Sequence, residues 1–381
     1  MTDPVLTVEG LTVNYSVGAG TFHALQDVSL EIRPGEVVGI VGETGCGKST
    51  LGHAIPRLLP EPPARIESGK IVFRGTDLVT VPRWKLPMVR GTGIAMIFQE
   101  PLNSLNPAFR VYDQLAEAVR IRRLRESGRL PMFRPDRDDP FDYSRPPPPP
   151  KGGTLANAIV PGGVTAEAVQ GRRLGSYRDD VLEYLRLVRI NDPETVLGLY
   201  PHELSGGMRQ RVMIAMALSE KPSLLIADEP TSALDVTIQA QVLTLLKELI
   251  DEIHTAVLFI SHDLGVIAET VDLLGVMYAG RLVEIGPAAE VFESPRHPYT
   301  KALLRATPNR SKAEGALDTI PGAVPNLSRL RPGCRFQPRC VLARPVCAND
   351  PHPPLVPIGF GPAPAVHRTA CLFPEEVAQL P

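Results

Sequence analysis

A glycine-rich segment with the pattern G-x-x-x-x-G-K-S is the part of the sequence best suited to bind a ligand. It runs from Gly42 to Ser49, after the β-branched run 37–41 and ahead of a helix-capable segment at about 48–59. Glycines let successive main-chain amides turn inward, and a helix N-terminus adds partial positive charge. The strand, loop and helix order therefore predicts a loop that binds a polyphosphate, whereas an ordinary glycine turn needs neither flanking element.

The loop residues are expected to make two kinds of contact with a nucleoside triphosphate, through side chains and through main chain. Lys48 is expected to neutralise the β- and γ-phosphates, and the Ser49 hydroxyl to ligate Mg²⁺. The other loop positions are expected to hold the nucleotide, largely through main chain; they are Gly42, Thr44, Gly45, Cys46, Gly47 and Thr50. A thiol beside the phosphates also suggests that alkylation of Cys46 blocks nucleotide binding.

Two adjacent acids follow Ser223 and the apolar run 224–227. This run is typical of a buried parallel strand, so Asp228 and Glu229 are expected at the sheet edge where α/β proteins bind ligands. We expect Asp228 to hold Mg²⁺ through water and Glu229 to polarise the water that attacks the γ-phosphate. Without the phosphate loop upstream, the same acids would be interpreted as helix-capping or surface residues.

Three more side chains could take part in nucleotide binding or hydrolysis. Gln99 follows the apolar run 93–98 and could reach a metal or the attacking water, although a glutamine there is commonly a loop residue. His262 follows the run 256–261 and could contact a γ-phosphate, although a lone histidine is commonly structural. Tyr15 offers an aromatic face on which a nucleotide base can stack, and taken alone it fits core or edge packing as well.

A second glycine pair begins a helical pattern that extends to about Ser219. Ser205 can cap that helix, and Gly206 and Gly207 leave its first amides accessible, which makes a second anion site. This pattern is weak by itself, because Ser-Gly-Gly before a helix is also a good loop.

Composition limits the classes of function. With 381 residues, 43% hydrophobic and 22% charged, the chain fits a soluble globular protein of two or three domains. A net charge of −2 gives no general attraction to nucleic acid. The first residues lack a basic region followed by an apolar run, and no apolar stretch approaches membrane-spanning length. We therefore expect a cytoplasmic protein that acts at a membrane only through partners.

One internal segment differs from the rest of the chain. Residues 126–176 include five consecutive prolines at 146–150. Such a segment cannot form a helix or a central strand, so we expect a surface insertion, part polyproline II and part disordered. Both a solvated spacer and a docking role remain open.

The order of these motifs resembles the nucleotide-binding subunits of ABC transporters, and specifically the dipeptide, oligopeptide and nickel importer branch. The resemblance covers residues 5–125 and 177–375. The branch is indicated by narrower features: Glu100 to Pro107, Met208 to Arg211, His297 to Leu304, Ile320 to Gly322 and Gly333 to Cys340. The Pro-rich insertion departs from the family pattern, in the helical region that faces the membrane subunits.

The resemblance implies an α/β fold, a P-loop NTPase of ABC type with an N-terminal antiparallel β subdomain. It implies a nucleotide-binding domain at 1–286, with a helical subdomain at about 100–222, and a small Cys-rich extension at 287–381. It also makes Gln99 and His262 catalytic residues, Glu229 the catalytic glutamate and Tyr15 the adenine-stacking residue. In that family Ser205, Gly206, Gly207 and Asp235 contact the nucleotide of a partner subunit.

The resemblance also implies the assembly. One chain supplies one phosphate loop and one signature helix, the helix that begins after Ser205. A second homologous ATPase subunit is therefore expected to complete each site, and a heterodimer is favoured. Two transmembrane permease subunits and an extracytoplasmic substrate-binding protein are expected, with this chain at the cytoplasmic face of the cell membrane and no nucleic acid partner. Short peptides are the expected cargo, with nickel or another small solute as the alternative, and a soluble ABC ATPase without transport as a further one.

Four cysteines cluster near the carboxyl end. Cys334, Cys340, Cys347 and Cys371 have the spacing C-x5-C-x6-C-x23-C in a segment with little hydrophobic material. In a reducing compartment such a group favours a metal centre over disulfides. The spacing lacks the paired C-x2-C of common zinc folds, and four thiolates can hold a 4Fe-4S cluster. The resemblance favours iron–sulfur; zinc and no metal stay open, as does a redox-sensing role.

Overall fold

The computed structural model describes residues 3–18, 20–99, 104–130, 177–231, 235–306, 319–349, 351–358 and 366–380. Two compact units make up the chain: residues 1–79 with 256–381 form unit 1, and residues 80–255 form unit 2. The five prolines at 146–150, and all of the expected insertion beyond residue 130, lie outside the described residues.

The strands are β1 Leu6–Val17, β2 Gly20–Ile32, β3 Val37–Val41, β4 Ala64–Phe73, β5 Thr76–Asp77, β6 Ile94–Ile97, β7 Leu224–Asp228, β8 Ala256–Ile260, β9 Leu273–Tyr278, β10 Arg281–Pro287, β11 Val356–Pro357 and β12 Arg368–Thr369. The helices are α1 Lys48–Ala54, α2 Leu86–Val89, α3 Val111–Glu126, α4 Arg178–Leu187, α5 Pro193–Val196, α6 Gly206–Ser219, α7 Val236–Ile253, α8 Leu264–Ala268, α9 Ala288–Glu293, α10 Pro298–Arg305 and α11 Pro374–Gln379. Short 3-10 turns occupy Arg83–Lys85, Pro201–Glu203, Gln337–Arg339 and Pro345–Ala348.

Unit 1 contains an antiparallel sheet with the strand order β2-β1-β4-β5. The alternation of residues 5–32 predicts this pairing, and it is confirmed: Leu6 lies opposite Ile32 and Val8 opposite Leu30. Alternate side chains of β1, such as Leu11 and Val13, are fully buried. The period-2 pattern thus gives the sheet one core face.

Unit 1 also contains the sheet that leads into the phosphate loop. β3 pairs in parallel with β8 and β9, and β9 forms an antiparallel hairpin with β10 around Ala279 and Gly280. All five residues of β3 are buried, as expected for a parallel strand covered on both faces. The strand ends at Val41, so Gly42 begins the loop directly at the sheet edge.

Unit 2 pairs β6 with β7 in parallel, Ile94 opposite Leu224 and Ile97 opposite Ala227. Helices α3, α4 and α6 pack against one another, and α6 also packs against β6 and α7. The helical pattern predicted from the second glycine pair to about Ser219 is confirmed by α6. Among the residues that the structure describes, no helix has both the length and the apolar character to cross a bilayer.

The first helix is shorter than the sequence suggests. The helix-capable segment extends to about residue 59, whereas α1 ends at Ala54 with Ile55 as its C-cap. Pro56 follows directly. Because proline disfavours helical geometry in the residue before it and removes a backbone donor, the helix stops here.

Candidate functional site

The phosphate loop of unit 1 has room only for glycine at its two ends. A Cβ at Gly42 would lie 2.1 Å from the main-chain oxygen of Met277, and a Cβ at Gly47 would lie 2.6 Å from that of Ala24. Both residues also have positive φ, 153° and 108°, which favours glycine. The pattern of glycines therefore reflects close approach of β9 and β2 to the loop, as well as the turn itself.

Lys48 turns back over its own loop. The residue is 5% exposed, and Nζ donates to the main-chain oxygens of Gly42 at 2.7 Å and Glu43 at 3.3 Å. Carbonyl oxygens satisfy the ammonium without neutralising it. The loop therefore keeps a positive charge inside its curve, which suits a polyphosphate.

Cys46 is a buried packing residue of the loop. It is fully buried, its main-chain oxygen accepts from Gly280 N at 2.8 Å, and burial raises the pKa of its thiol despite nearby Lys48. A protonated, covered thiol is a poor nucleophile. Alkylation of Cys46 is therefore expected to be slow while the loop keeps this conformation.

The two other expected nucleotide contacts of unit 1 lie on neighbouring strands. The register Ile40 opposite Ile260 brings Gly42 and His262 to the same edge of the parallel sheet, and His262 is exposed there. Tyr15 is half-buried in β1, opposite Phe22 and Ala64. Their roles toward a nucleotide stay predictions.

In unit 2, two of the expected catalytic residues touch. Gln99 Nε2 donates to Glu229 Oε2 at 3.0 Å, since the parallel pairing of β6 and β7 brings both strand ends to one edge. Glu229 has a φ of +46°, an unfavourable conformation for a residue with a side chain, and such strain concentrates at functional positions. Asp228 at the end of β7 is 2% exposed.

The glycine pair of unit 2 begins α6 as expected. The Ser205 side chain accepts from Met208 N at 3.3 Å, which confirms the predicted cap. A Cβ at Gly207 would lie 2.7 Å from Ile238 Cγ2, so glycine lets α6 approach α7. Asp235 caps α7 by accepting from Ile238 N at 3.0 Å; its expected nucleotide contact stays a prediction.

Glu43 is the loop residue that sequence reasoning missed. Its main-chain N donates to Tyr299 Oη at 2.9 Å, and its carboxylate makes a double hydrogen bond with the Arg339 guanidinium, at 2.8 and 3.1 Å. Tyr299 and Arg339 lie 256 and 296 positions away along the chain. No local pattern indicates such a contact, although both partners belong to segments that carry the peptide-importer resemblance.

The four C-terminal cysteines line one pocket. Its walls include Cys334, Cys340, Cys347 and Cys371, together with apolar side chains such as Phe336 and Leu342. Burial, assisted by the neighbouring thiols, raises the pKa of Cys340 to about 11 and that of Cys371 to about 12. These thiols therefore stay protonated at neutral pH unless a bound cation displaces the protons.

The donor set fits a thiolate-bound centre, but the geometry gives no ready site for a single ion. Within the described parts of the chain, no group of three or more His, Cys, Asp or Glu side chains converges closely enough to hold a metal ion. One zinc ion needs sulfurs about 3.8 Å apart, from Zn–S distances of about 2.3 Å in a tetrahedron. The shared pocket alone therefore does not distinguish an iron–sulfur cluster from a zinc ion, and it does not establish either.

Comparison with known families matches both parts of the chain. The model of the ABC transporter family covers residues 25–232. The model of the oligopeptide/dipeptide transporter C-terminal region covers residues 283–347, which include Tyr299, Arg339 and three of the four cysteines.

Two curated relatives match almost end to end. A probable peptide ABC transporter ATP-binding protein of Sinorhizobium fredii is 43% identical, over 99% of this chain and 97% of its own length. A putative peptide import ATP-binding protein of Brucella ovis is 40% identical, over 98% of both chains.

Solved structures agree on the fold. The dimeric structure of a bacterial ABC transporter cassette is 24% identical with a TM-score of 0.53, over 74% of this chain and 98% of its own. A protein of Clostridium perfringens that is part of an ABC transporter complex is 27% identical with a TM-score of 0.51, over 76% of this chain and 91% of its own. The α/β fold of ABC type is thereby confirmed. The two family matches and the two relatives that are at least 40% identical agree with the phosphate loop and with the contact between Gln99 and Glu229. This chain therefore belongs to the ATP-binding proteins of ABC transporters and is an ATPase of that family.

Proposed function

We propose that this chain is the ATPase subunit of an importer of short peptides. The observation that carries the proposal is the match of residues 283–347 to the oligopeptide/dipeptide transporter C-terminal region. Relatives similar over nearly their whole length are named as peptide transporter ATP-binding proteins, which supports the same cargo class. The cargo itself would be recognised by other subunits.

Nucleotide binding is assigned to the phosphate loop. Lys48 and the amides of 42–50 would hold the phosphates, and Tyr15 would stack on the base. Ser49, Gln99 and Asp228 would supply ligands for Mg²⁺, which would neutralise charge on the β- and γ-phosphates. The buried, carbonyl-bound ammonium of Lys48 supports its part in this assignment.

Hydrolysis is assigned to Glu229. Its carboxylate would take a proton from the attacking water, while Gln99, which already bonds to it, would help to hold that water. His262 would contact the γ-phosphate from the end of β8. This division keeps phosphate binding and water activation on different residues.

The assembly follows from what one chain supplies. Its signature residues Ser205, Gly206 and Gly207, with Asp235, would act on the nucleotide of a second, homologous ATPase subunit, and that subunit would do the same in return. Two transmembrane permease subunits would hold the pair at the cytoplasmic face of the membrane. An extracytoplasmic substrate-binding protein would deliver the peptide, and ATP would favour the closed state of the pair.

The C-terminal extension is proposed to hold a 4Fe-4S cluster, with Zn²⁺ as the alternative. Cys334, Cys340, Cys347 and Cys371 would be the ligands, and the centre would staple a segment that buries little apolar surface. All four thiols line one pocket, which makes them one candidate ligand set, and the resemblance to peptide-importer ATPases, rather than the pocket, favours iron–sulfur. The division into a nucleotide-binding domain at 1–286 and an extension at 287–381 belongs to the same proposal.

The test is purification of the whole transporter complex under anaerobic conditions. We expect two membrane subunits and a second ATPase chain to copurify, and ATPase activity to rise when a short peptide and its binding protein are added. Stimulation by nickel or another solute, with none by peptides, would contradict the peptide proposal. About four iron atoms and about four acid-labile sulfides per site would support the cluster. One zinc ion per chain would support the zinc alternative and contradict the cluster.

A further inference from the structure

The carboxylate of Glu43 is fixed by a guanidinium from the cysteine-rich segment. Arg339 is almost fully buried, with 4% of its side chain exposed, while that of Glu43 is 27% exposed. The two parallel hydrogen bonds make a geometry-specific, charge-assisted pair. A pair this sheltered is screened less by salt than one on the surface.

Arg339 is itself held in place by the extension. Its guanidinium also donates to the main-chain oxygens of Pro321 at 2.8 Å and Ile320 at 3.2 Å, and it lies over the ring of Phe336. These contacts give the side chain one orientation, toward the phosphate loop. The phosphate loop is thus contacted by a residue with little freedom to move away.

The turn that carries Arg339 is bracketed by two of the cysteines. Residues Gln337–Arg339 form a 3-10 turn, Gln337 N donates to Cys334 O at 3.0 Å, and Cys340 follows Arg339 directly. Cys334 N donates in turn to Cys347 O at 2.7 Å. The turn that supports Arg339 is therefore built on the backbone of these cysteines.

The charge of Glu43 matters because of what the loop binds. A carboxylate inside a polyphosphate-binding loop repels the ligand, and an arginine that pairs with it cancels that repulsion. The main chain of Glu43 is held at the same time, with N bonded to Tyr299 and O to Lys48. Losing Arg339 would therefore leave an uncompensated negative charge beside the phosphates and free one side of the loop.

We propose that the Arg339–Glu43 pair couples the four-cysteine segment to the phosphate loop, so that the integrity of this segment sets the affinity for nucleotide. Arg339 is a positioning residue, since it acts on the nucleotide through Glu43. The Arg339–Glu43 pair does not depend on which cargo is transported. The expected effect of the cysteines on this pair is the one part that rests on the proposed metal centre.

The first experiment measures the Kd of the purified full chain for ATP and ADP, without requiring turnover. Arg339→Met is expected to weaken ATP binding about 10-fold, and ADP binding less because it carries less negative charge. Adding Glu43→Gln to Arg339→Met should recover most of the lost affinity, since it removes the unpaired charge. Arg344→Met is the matched control: Arg344 pairs with Glu376 at 2.6 Å in the same extension and is 48% exposed.

Three results would overturn this part of the proposal. They are wild-type ATP affinity in Arg339→Met, an equal loss in Arg344→Met, and a loss in Arg339→Met that Glu43→Gln does not relieve. Thermal unfolding of each variant shows whether the chain is folded. If Arg339→Met does not fold, Arg339→Lys, which keeps the charge and loses the second hydrogen bond, is expected to show a smaller loss of affinity, and wild-type affinity there would count against the pair.

The second experiment tests the coupling to the cysteines. Cys371→Ala is expected to weaken ATP binding severalfold in the wild-type background and to have little further effect in the Arg339→Met background. An equal loss in both backgrounds, or no loss in either, would overturn the coupling. A failure of peptide stimulation in the transporter would leave these Kd values unchanged, so the two proposals fail separately.

Discussion

The phosphate loop of unit 1 and the signature helix of unit 2 are held in different ways. The loop is held by residues far away in sequence: Met277 lies against Gly42, and Tyr299 and Arg339 bond to Glu43. The start of α6 is held mainly from nearby, by the Ser205 cap and by the approach of α7 to Gly207. The conformation of the phosphate loop therefore depends on β9 and the C-terminal extension, whereas the start of α6 depends on its own first turn and on α7.

Because of this difference, we expect the affinity for nucleotide and the rate of ATP hydrolysis to respond to changes in different regions. Changes at the loop and its distant supports should act first on the Kd for nucleotide. Changes at the start of α6 should leave the Kd of the single chain nearly unchanged and act on turnover in the complex, and changes elsewhere in unit 2 away from the Mg²⁺ ligands should act on its stability.

The largest effect on nucleotide affinity is expected from Gly42→Ala. The new Cβ would lie 2.1 Å from the Met277 carbonyl oxygen, so the loop or β9 has to shift. We expect ATP binding of the full chain to weaken roughly 100-fold, about 2.7 kcal/mol, measured by calorimetry.

Gly45→Ala is the matched control in the same loop. Gly45 also has a positive φ, 80°, but nothing lies within 4 Å of its Cβ position. Only backbone strain of about 1 kcal/mol is expected there. Equal losses at the two glycines would mean that close approach of β9 does not shape the loop.

A smaller effect is expected from Gly207→Val, on turnover. Its Cβ would lie 2.7 Å from Ile238 Cγ2, so α6 and α7 must separate. We expect ATPase turnover of the assembled transporter to fall about 10-fold while the single chain binds ATP normally. Gly198→Ala, where the nearest atom is 3.6 Å away, should change neither quantity; a weakened Kd in Gly207→Val would contradict the separation.

A further effect, on stability and not on the nucleotide, is a dependence of the unfolding free energy on pH. Burial raises the pKa of Glu220 to about 7, although Arg125 opposes the shift. Between about pH 4.5 and 7 the folded chain then binds more protons than the unfolded chain, so this group's contribution to stability falls as pH rises. Glu220→Gln should remove a slope worth about 1–3 kcal/mol, seen as a smaller difference in unfolding free energy between pH 5 and pH 8.

The surface acid Glu194, which pairs with Arg186 at 2.6 Å and is 49% exposed, provides the charge-matched control. Glu194→Gln should keep the wild-type difference between the two pH values. An unchanged difference in Glu220→Gln would show that its carboxylate is not held in a neutral form by burial.

The sequence predicts the local parts of the site well. Residues 37–50 encode a buried strand, a glycine loop and a helix start within one continuous segment, and the structure has all three. The Ser205 cap is equally local, because it bonds to a residue three positions away. The contact of Gln99 with Glu229 follows from two neighbouring parallel strands ending at one edge.

The distant supports cannot be predicted in this way. Nothing around Glu43 indicates a partner 296 residues away, and the need for glycine at position 42 depends on where β9 passes. The four cysteines are visible as a group in the sequence, but their meeting in one pocket depends on the packing of the extension. Contacts between residues far apart in the sequence leave no regular spacing by which a sequence pattern could reveal them.

The most direct test of the account is Glu229→Gln in the assembled transporter, with ATP binding and ATP hydrolysis measured on the same preparation. We predict ATP bound with wild-type affinity and hydrolysis reduced at least 100-fold, because the amide cannot accept the proton of the attacking water. Hydrolysis at the wild-type rate would contradict the assignment of Glu229 and, with it, the separation of phosphate binding from water activation.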